Sequence, residues 1–408
     1  MEAALIPHLF RTEFAKISAL LCNKFGVEFM ADADDITSDT FVAALESWPY
    51  NGVPDNPAGW LYKVAINKAL NLINRNKHWK EKGRAVLMAL PQADDLEHDF
   101  SQVIKDSRVR MIVVCCHPCN PPEAQIALAL RTLCGFGIDE IATAFLTNKE
   151  VINKRLYRAR LQLREAGQHL ALPDDTALAS RIDTVLTTPY LLYSEGYYSE
   201  HHPDVIREDL CREAMRLTQM LLATFNDIYP QIKALMALMH FQFARIKART
   251  GRMGELILYK DQDTRQWDPF HISEGTRLLH QSSTGDAYSR FHLEATIAAM
   301  YCQPDPSPAK WTTILHLYDL LYQLMPSDLI LLNKMYAYAR VHGNDAALLQ
   351  LSHYNIPDSQ FKWALLGNLY LDSDVAKSID CFQKAIKLAK TDKEKRLLDS
   401  IIKDLYSI

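Results

Sequence analysis

An all-α fold is predicted for this chain of 408 residues by three observations. Apolar residues recur at intervals of three and four along nearly its whole length, the period of a helix with one buried face. Only 14 glycines interrupt that pattern, and no stretch sustains the alternation of a half-buried strand. The chain is also longer than one hydrophobic core normally serves, so roughly two to four domains are expected.

The composition, 48% hydrophobic and 23% charged, is that of an ordinary globular protein. The start "MEAALIPHLFRTEF" lacks the basic beginning and unbroken apolar stretch of a signal peptide, and no apolar run approaches a membrane span. Eight cysteines, irregularly spaced apart from one cluster, do not describe a disulfide framework. A cytoplasmic protein with reduced thiols is expected, with no membrane partner.

The first helix is predicted over roughly Ile6 to Phe25, burying Leu9, Phe10, Phe14, Ile17, Leu21 and Phe25. A second begins near Asp34, with Phe41, Ala44, Leu45 and Trp48 on one side and Asp35, Asp39 and Glu46 on the other. The turn "PYNGVPDNP" from Pro49 to Pro57 is predicted to be non-helical through its Pro and Gly positions. It presents Asn51, Asp55 and Asn56. The next helix, Ala58 to Asn76, aligns Trp60, Lys63, Asn67, Asn71 and Asn74 opposite Leu61, Ala65, Ala69, Leu72 and Ile73.

The charges of these segments are set against each other. From Glu28 to Asp55 there are seven acidic residues and no lysine or arginine; from Lys63 to Arg84 there are seven basic residues against Glu81 alone. Acids early in a helix stabilise its N-terminus, and a Trp that caps the core leaves its Asn neighbours to water. The other reading is recognition. Asparagine amides donate to phosphates and read base edges, and a tryptophan stacks on an unpaired base for ~1 to 3 kcal/mol.

Residues 85 to 107 are acidic and weakly patterned, a linker. A compact block follows: a helix to Leu133, a break at Gly135 and Gly137, a short helix from Asp139 to Phe145, a turn at Thr147 and Asn148, and a helix from Lys149 to Glu165. That is the order of a DNA-binding helix-turn-helix. Ile152, Leu156, Ala159 and Leu163 form its buried stripe. Lys149, Lys154, Arg155, Arg158, Arg160 and Arg164 against Glu150 and Glu165 give the last helix a charge of +4.

Cys115, Cys116, His117 and Cys119 contain one CxxC. A structural zinc site needs a second ligand pair, and Cys134 is the one cysteine nearby downstream; a redox site needs a βαβ surround, which is absent. Buried thiols at a helix end are expected, with no metal and no cofactor. His201 and His202 beside Glu200 read as a surface loop. Beyond a second linker around Leu172 to Asp174, long amphipathic helices continue. The segment "GELILYKDQDTRQWDPF" is the place for a short extended stretch, and its Asp261, Asp263 and Asp268 lack the order of a calcium loop. Trp363, Leu366, Gly367 and Tyr370, with Phe382 and Ala385, fit a tetratricopeptide helix pair with one residue missing; a weaker pair, Asp328 to Leu351, precedes it.

Residues 32 to 75 resemble region two of an extracytoplasmic-function (ECF) sigma factor, whose "DAEDLVQETF"-like helix and "WLYRIARNLALDLLRR" have "DADDITSDTF" and "WLYKVAINKALNLINR" as counterparts. Residues 109 to 165 are similar to region four. The "CCHP" stretch, "YSEGY", "KDQDTRQWD" and the tetratricopeptide-like end resemble a subgroup with a large C-terminal extension. The resemblance implies region two over 1–84, a linker over 85–107, region four over 108–167, a helical extension domain over 178–300 and tetratricopeptide-like repeats over 301–408. It implies a non-enzymatic initiation factor that binds core RNA polymerase through Asp35, Asp39, Phe41 and Glu46. The minus-10 element would be recognised and opened by Asn51, Asn56, Trp60, Lys63, Asn67, Asn71 and Arg75. The minus-35 element would be read by Lys149, Asn153, Lys154, Arg155 and Arg158. Two positions usually held by Arg and Asp are Ile66-Asn67 and Asn71 here, which bears on the promoter read. The extension is expected to supply control, by packing on regions two and four or by receiving a signal, with a peptide or protein partner for its repeats. The alternatives are a stand-alone helix-turn-helix regulator with a tetratricopeptide-like sensor, and an enzyme using the Cys/His cluster or "KDQD".

Overall fold

A computed structural model describes residues 2–75, 107–145, 147–167, 175–198, 206–225, 228–251, 256–283, 288–303 and 307–406. Among them the chain is helix and turn, and its extended pairing is one isolated bridge, Thr250 with Leu256. The fold is all-α, as the period indicates. The first linker and the His201–His202 pair lie outside the described residues. The chain gathers into two compact units, Met1–Leu191 and Leu192–Ile408.

The first unit is built on α1 (Glu2–Phe25), α2 (Met30–Asn51) and α3 (Pro57–Arg75). Phe14, Ile17 and Leu21 are fully buried, and Phe10 packs on both Phe14 and Phe41 with ring centroids 4.9 Å apart. Gly26 turns the chain with φ 96°, a region costly for residues with a Cβ. A 3-10 turn, Val27–Phe29, leads into α2. Helix α2 is longer than predicted at both ends and runs through Pro49. A proline so close to the C-terminus forfeits one intrahelical bond without ending the helix; Gly52, at φ 78°, ends it by donating to the Trp48 carbonyl at 3.0 Å. Asn56 then starts α3 by accepting from the Gly59 amide at 2.9 Å, with Pro57 at the position where a missing N–H costs nothing.

Residues 107–115 form α4, whose Val109 and Met111 to Val114 are buried. Helix α5 (Pro122–Leu128) widens into a π turn, Ala129–Leu133, closed by the Cys134 amide on the Ala129 carbonyl at 3.1 Å. Next come α6 (Ile138–Ala144) and α7 (Lys149–Glu165). Asn148 caps α7 by accepting from the Val151 amide at 2.9 Å. The expected stripe of Ile152, Leu156, Ala159 and Leu163 is buried in full. Helix α8 (Asp175–Tyr197) follows.

The second unit centres on α10 (Pro230–Ala244), buried on nearly all sides from Ile232 to Phe241, as a helix without a polar face must be. Around it pack α9 (Glu208–Phe225), α11 (Pro269–Ser282) and α12 (Arg290–Tyr301). The segment expected to be extended makes two 3-10 turns, Tyr259–Asp261 and Thr264–Gln266. Two of its acids serve as caps: Asp263 accepts from the Arg265 amide, and Asp268 accepts from Phe270 at 3.0 Å to start α11. Helices α13 (Pro308–Leu324), α14 (Asp328–His342), α15 (Asn344–Leu351), α16 (Gln360–Tyr370), α17 (Val375–Leu388) and α18 (Asp392–Tyr406) pack in sequence. Gly367 is required where α16 meets α17, because a Cβ there would stand 2.8 Å from the Phe382 ring.

Candidate nucleic-acid interface

Helix α2 presents its acids as the wheel predicts, with Asp35, Asp39 and Glu46 exposed. Two predicted placements are corrected. Phe41, expected at the contact surface, is 3% exposed and packs on Phe10, so it holds α2 against α1. Leu45, expected in the core, is 55% exposed beside Val42 at 49%. The outer face of α2 therefore mixes carboxylates with aliphatic side chains. Half-buried Asp32 is held above the usual carboxylate range by desolvation and by Asp35.

Across the turn, Lys63, Asn67, Asn71, Asn74 and Arg75 are exposed on α3, while Leu61, Ala65, Ala69 and Ile73 are buried and Leu72 is half-buried. Trp60 is half-buried, its ring 5.5 Å from that of Trp48 at 64°, so one edge braces α2 against α3. Asn51 closes α2 and donates to the Ser47 hydroxyl at 3.2 Å. Asn56 spends its side-chain oxygen on capping α3. Beneath, the buried Tyr62 hydroxyl donates to Glu13 at 2.9 Å, and burial with that carboxylate pushes its titration far up.

On α7, Asn153, Lys154 and Arg158 are exposed with Val151 and Tyr157. Lys149 is exposed and pairs with Asp139 of α6 at 2.8 Å. Arg155, expected to face DNA, is corrected: it pairs with Glu123 at 2.9 Å and lies 5.0 Å from the Phe145 ring. Its guanidinium ties α5, α6 and α7 together.

Sequence reasoning missed the link between the acidic and basic helices. Asp34 is 1% exposed; Ser18 donates to its Oδ1 at 2.8 Å, Arg160 of α7 donates to its Oδ2, and Arg131 Nε stands 3.9 Å away. The signal was present, since positions 34, 37, 41, 44 and 48 step along one helical stripe and the other four are also buried. Cys22 and Cys115 are buried close enough to feel both Asp34 and Arg160, and desolvation raises both thiols well above their ordinary value. The expectation of buried thiols holds for Cys115 and Cys116; Cys119 is half-buried. Among the described residues no group of three or more His, Cys, Asp or Glu is placed to hold a metal ion, and no helix is long and apolar enough to cross a membrane.

The sequence that forms α2 and α3 falls within a recognised module. Residues 22–78 match the Sigma-70 region 2 family, which supports a sigma factor family for the chain and implies interaction with core RNA polymerase and promoter DNA. Residues 181–283 match a family of unknown function (DUF6596). An uncharacterized protein of Rhizobium meliloti (strain 1021) is 32% identical over 322 residues, covering 78% of this chain and 75% of that protein. The chain belongs to the family of that rhizobial protein. No solved structure matches it.

Proposed function

We propose that the chain is a sigma factor of the extracytoplasmic-function kind, which binds core RNA polymerase, selects a two-part promoter and opens it. The observation that carries this reading is the exposed pair of faces inside the Sigma-70 region 2 match. The carboxylate-and-aliphatic face of α2 suits a basic protein surface with an apolar centre. The Lys63, Asn67, Asn71 and Arg75 stripe of α3 suits melted minus-10 DNA. Opening costs a few kcal/mol per unstacked base, offset by stacking on Trp60 and by contacts to its neighbours, at ~1 to 3 kcal/mol per stacked base. Helices α6 and α7 act as a helix-turn-helix, with Asn153, Lys154 and Arg158 toward the minus-35 element and Lys149 at its edge.

The Asp34–Arg160 link makes the described first unit a closed form. Elements centred at minus-10 and minus-35 are about 25 base pairs apart, or roughly 85 Å of duplex at ~3.4 Å per pair. Helix α3 packs on α2, which shares a buried ion pair with α7, so in this form α3 and α7 cannot each occupy one of them, and the link parts on polymerase. The C-terminal extension, with its tetratricopeptide-like pair α16–α17, shifts the balance between closed and open forms.

The test is run-off transcription of genomic fragments with added core polymerase. Specific transcripts are expected only when this chain is present; duplex binding that needs no polymerase and yields no transcript would instead establish a stand-alone regulator. Replacing both Lys154 and Arg158 with alanine is expected to abolish promoter selection. It should also lower the salt slope of DNA binding by roughly 2, at ~0.9 per phosphate contact, measured by titration at several salt concentrations.

A further inference from the structure

The second unit holds a partly open cavity of about 410 Å³, within the range of small-molecule sites. Its wall is mostly apolar, with Tyr197, Leu258, Phe361, Leu397 and Ile401 among its residues. Three charged side chains also line it, Arg245, Arg249 and Glu394, and their hydrogen-bonding states differ. Glu394 is satisfied without any cation. Tyr198 and Gln360 donate to its Oε1, and the Thr391 amide and hydroxyl donate to its Oε2 at 3.1 and 2.8 Å. These bonds hold its carboxyl below the usual range despite desolvation.

The arginines are the reverse case. Arg249 lies 3.9 Å from the centre of the Tyr197 ring and donates Nη1 to the Tyr197 carbonyl at 3.0 Å. Arg245 directs Nε and Nη2 to Gln262 Oε1 and lies 4.8 Å from the Tyr259 ring. Both are half-buried, and the acceptors they meet among the described residues, the Gln262 amide oxygen and the Tyr197 carbonyl, are neutral. Partly desolvated guanidinium groups without a counter-charge favour an anion. Gln360 adds a second unmet demand, since its Oε1 is buried with no donor.

We infer that this cavity binds a small amphiphilic organic acid, with its acidic group on Arg249 and its aromatic or alkyl body against the apolar wall. Arg245 supports the same charge from behind its aromatic neighbours. Gln360 Oε1 accepts from a hydroxyl or amide on the ligand.

The full chain is titrated with anilinonaphthalene sulfonate and, in parallel, with the uncharged N-phenylnaphthylamine, following fluorescence. The sulfonate is expected to bind saturably at one site per chain, to bind at least about tenfold more tightly than the amine, and to be displaced by decanoate. Arg249→Gln removes that preference and leaves amine binding unchanged. Ala364→Phe, which fills the cavity and keeps both arginines, abolishes both, and it decides the matter if Arg249→Gln fails to fold. Arg277→Gln, at a surface pair with Glu274, alters neither. Equal affinity for the two probes, an unsaturable signal, or sulfonate binding indifferent to both cavity substitutions overturns the inference. Neither polymerase nor DNA is present, so the outcome is separate from that of the transcription reading.

Discussion

Asp35→Lys with Asp39→Lys is expected to abolish capture of core RNA polymerase while leaving the fold in place. Both side chains are exposed on α2, and exposed substitutions usually shift stability by no more than ~0.5 kcal/mol each. Two reversed charges set against a basic partner surface cost several kcal/mol, at least about a hundredfold in affinity. The check is a pull-down at fixed ionic strength beside a thermal melt of each protein. Undiminished capture by the doubly reversed protein would sink the assignment of this face. Val42→Ser and Leu45→Ser test the aliphatic half of the same face, where loss should be milder and insensitive to salt.

The next residue along the helix from that face gives the opposite result. Asp34→Ala is expected to cost about 3 kcal/mol of stability, because it leaves Arg160 and Arg131 without the carboxylate at 2% exposure that both approach. Breaking a buried pair by removing one partner typically costs ~3 to 5 kcal/mol; the lower end applies because Arg160, at 22% exposure, can turn to water. Arg160→Ala should cost less, since Asp34 keeps the Ser18 hydroxyl. The double mutant should then reveal a coupling of about 2 kcal/mol in a denaturation cycle. Below its melting range Arg160→Ala should also transcribe more than the parent at limiting polymerase, because the closed form loses its tie. Equal or lower output at matched folded fraction would show that the link does not restrain the open form.

These two residues mark what could be read in the sequence. Local periodicity settled the fold and most helix faces: the Ile152–Leu163 stripe and the asparagines of α3 lie where the period places them. It did not separate Asp34 from Asp35, because both entered one run of acids; the partner of Asp34 is 126 positions away. Arg155 was counted as a surface cation for the same reason, its acid lying two helices upstream at Glu123. Pro49 was given more weight as a helix breaker than a residue near a C-terminus carries. The cavity was illegible because its wall draws on residues from Tyr197 to Ile401, a closeness that only tertiary packing creates.

The sealed thiols allow the opening of the first unit to be timed by chemical labelling. Seven of the eight cysteines are buried. A thiol reacts as its thiolate, so those raised by burial stay inert to a maleimide while the structure holds, leaving half-buried Cys119 to react first. Cys22 and Cys115 sit beside the Asp34–Arg160 pair. Their modification, followed by mass spectrometry of peptides, should be slow in the free chain, faster in Arg160→Ala and fastest once polymerase is added. The protein thus carries its own clock for the event that the proposed function requires.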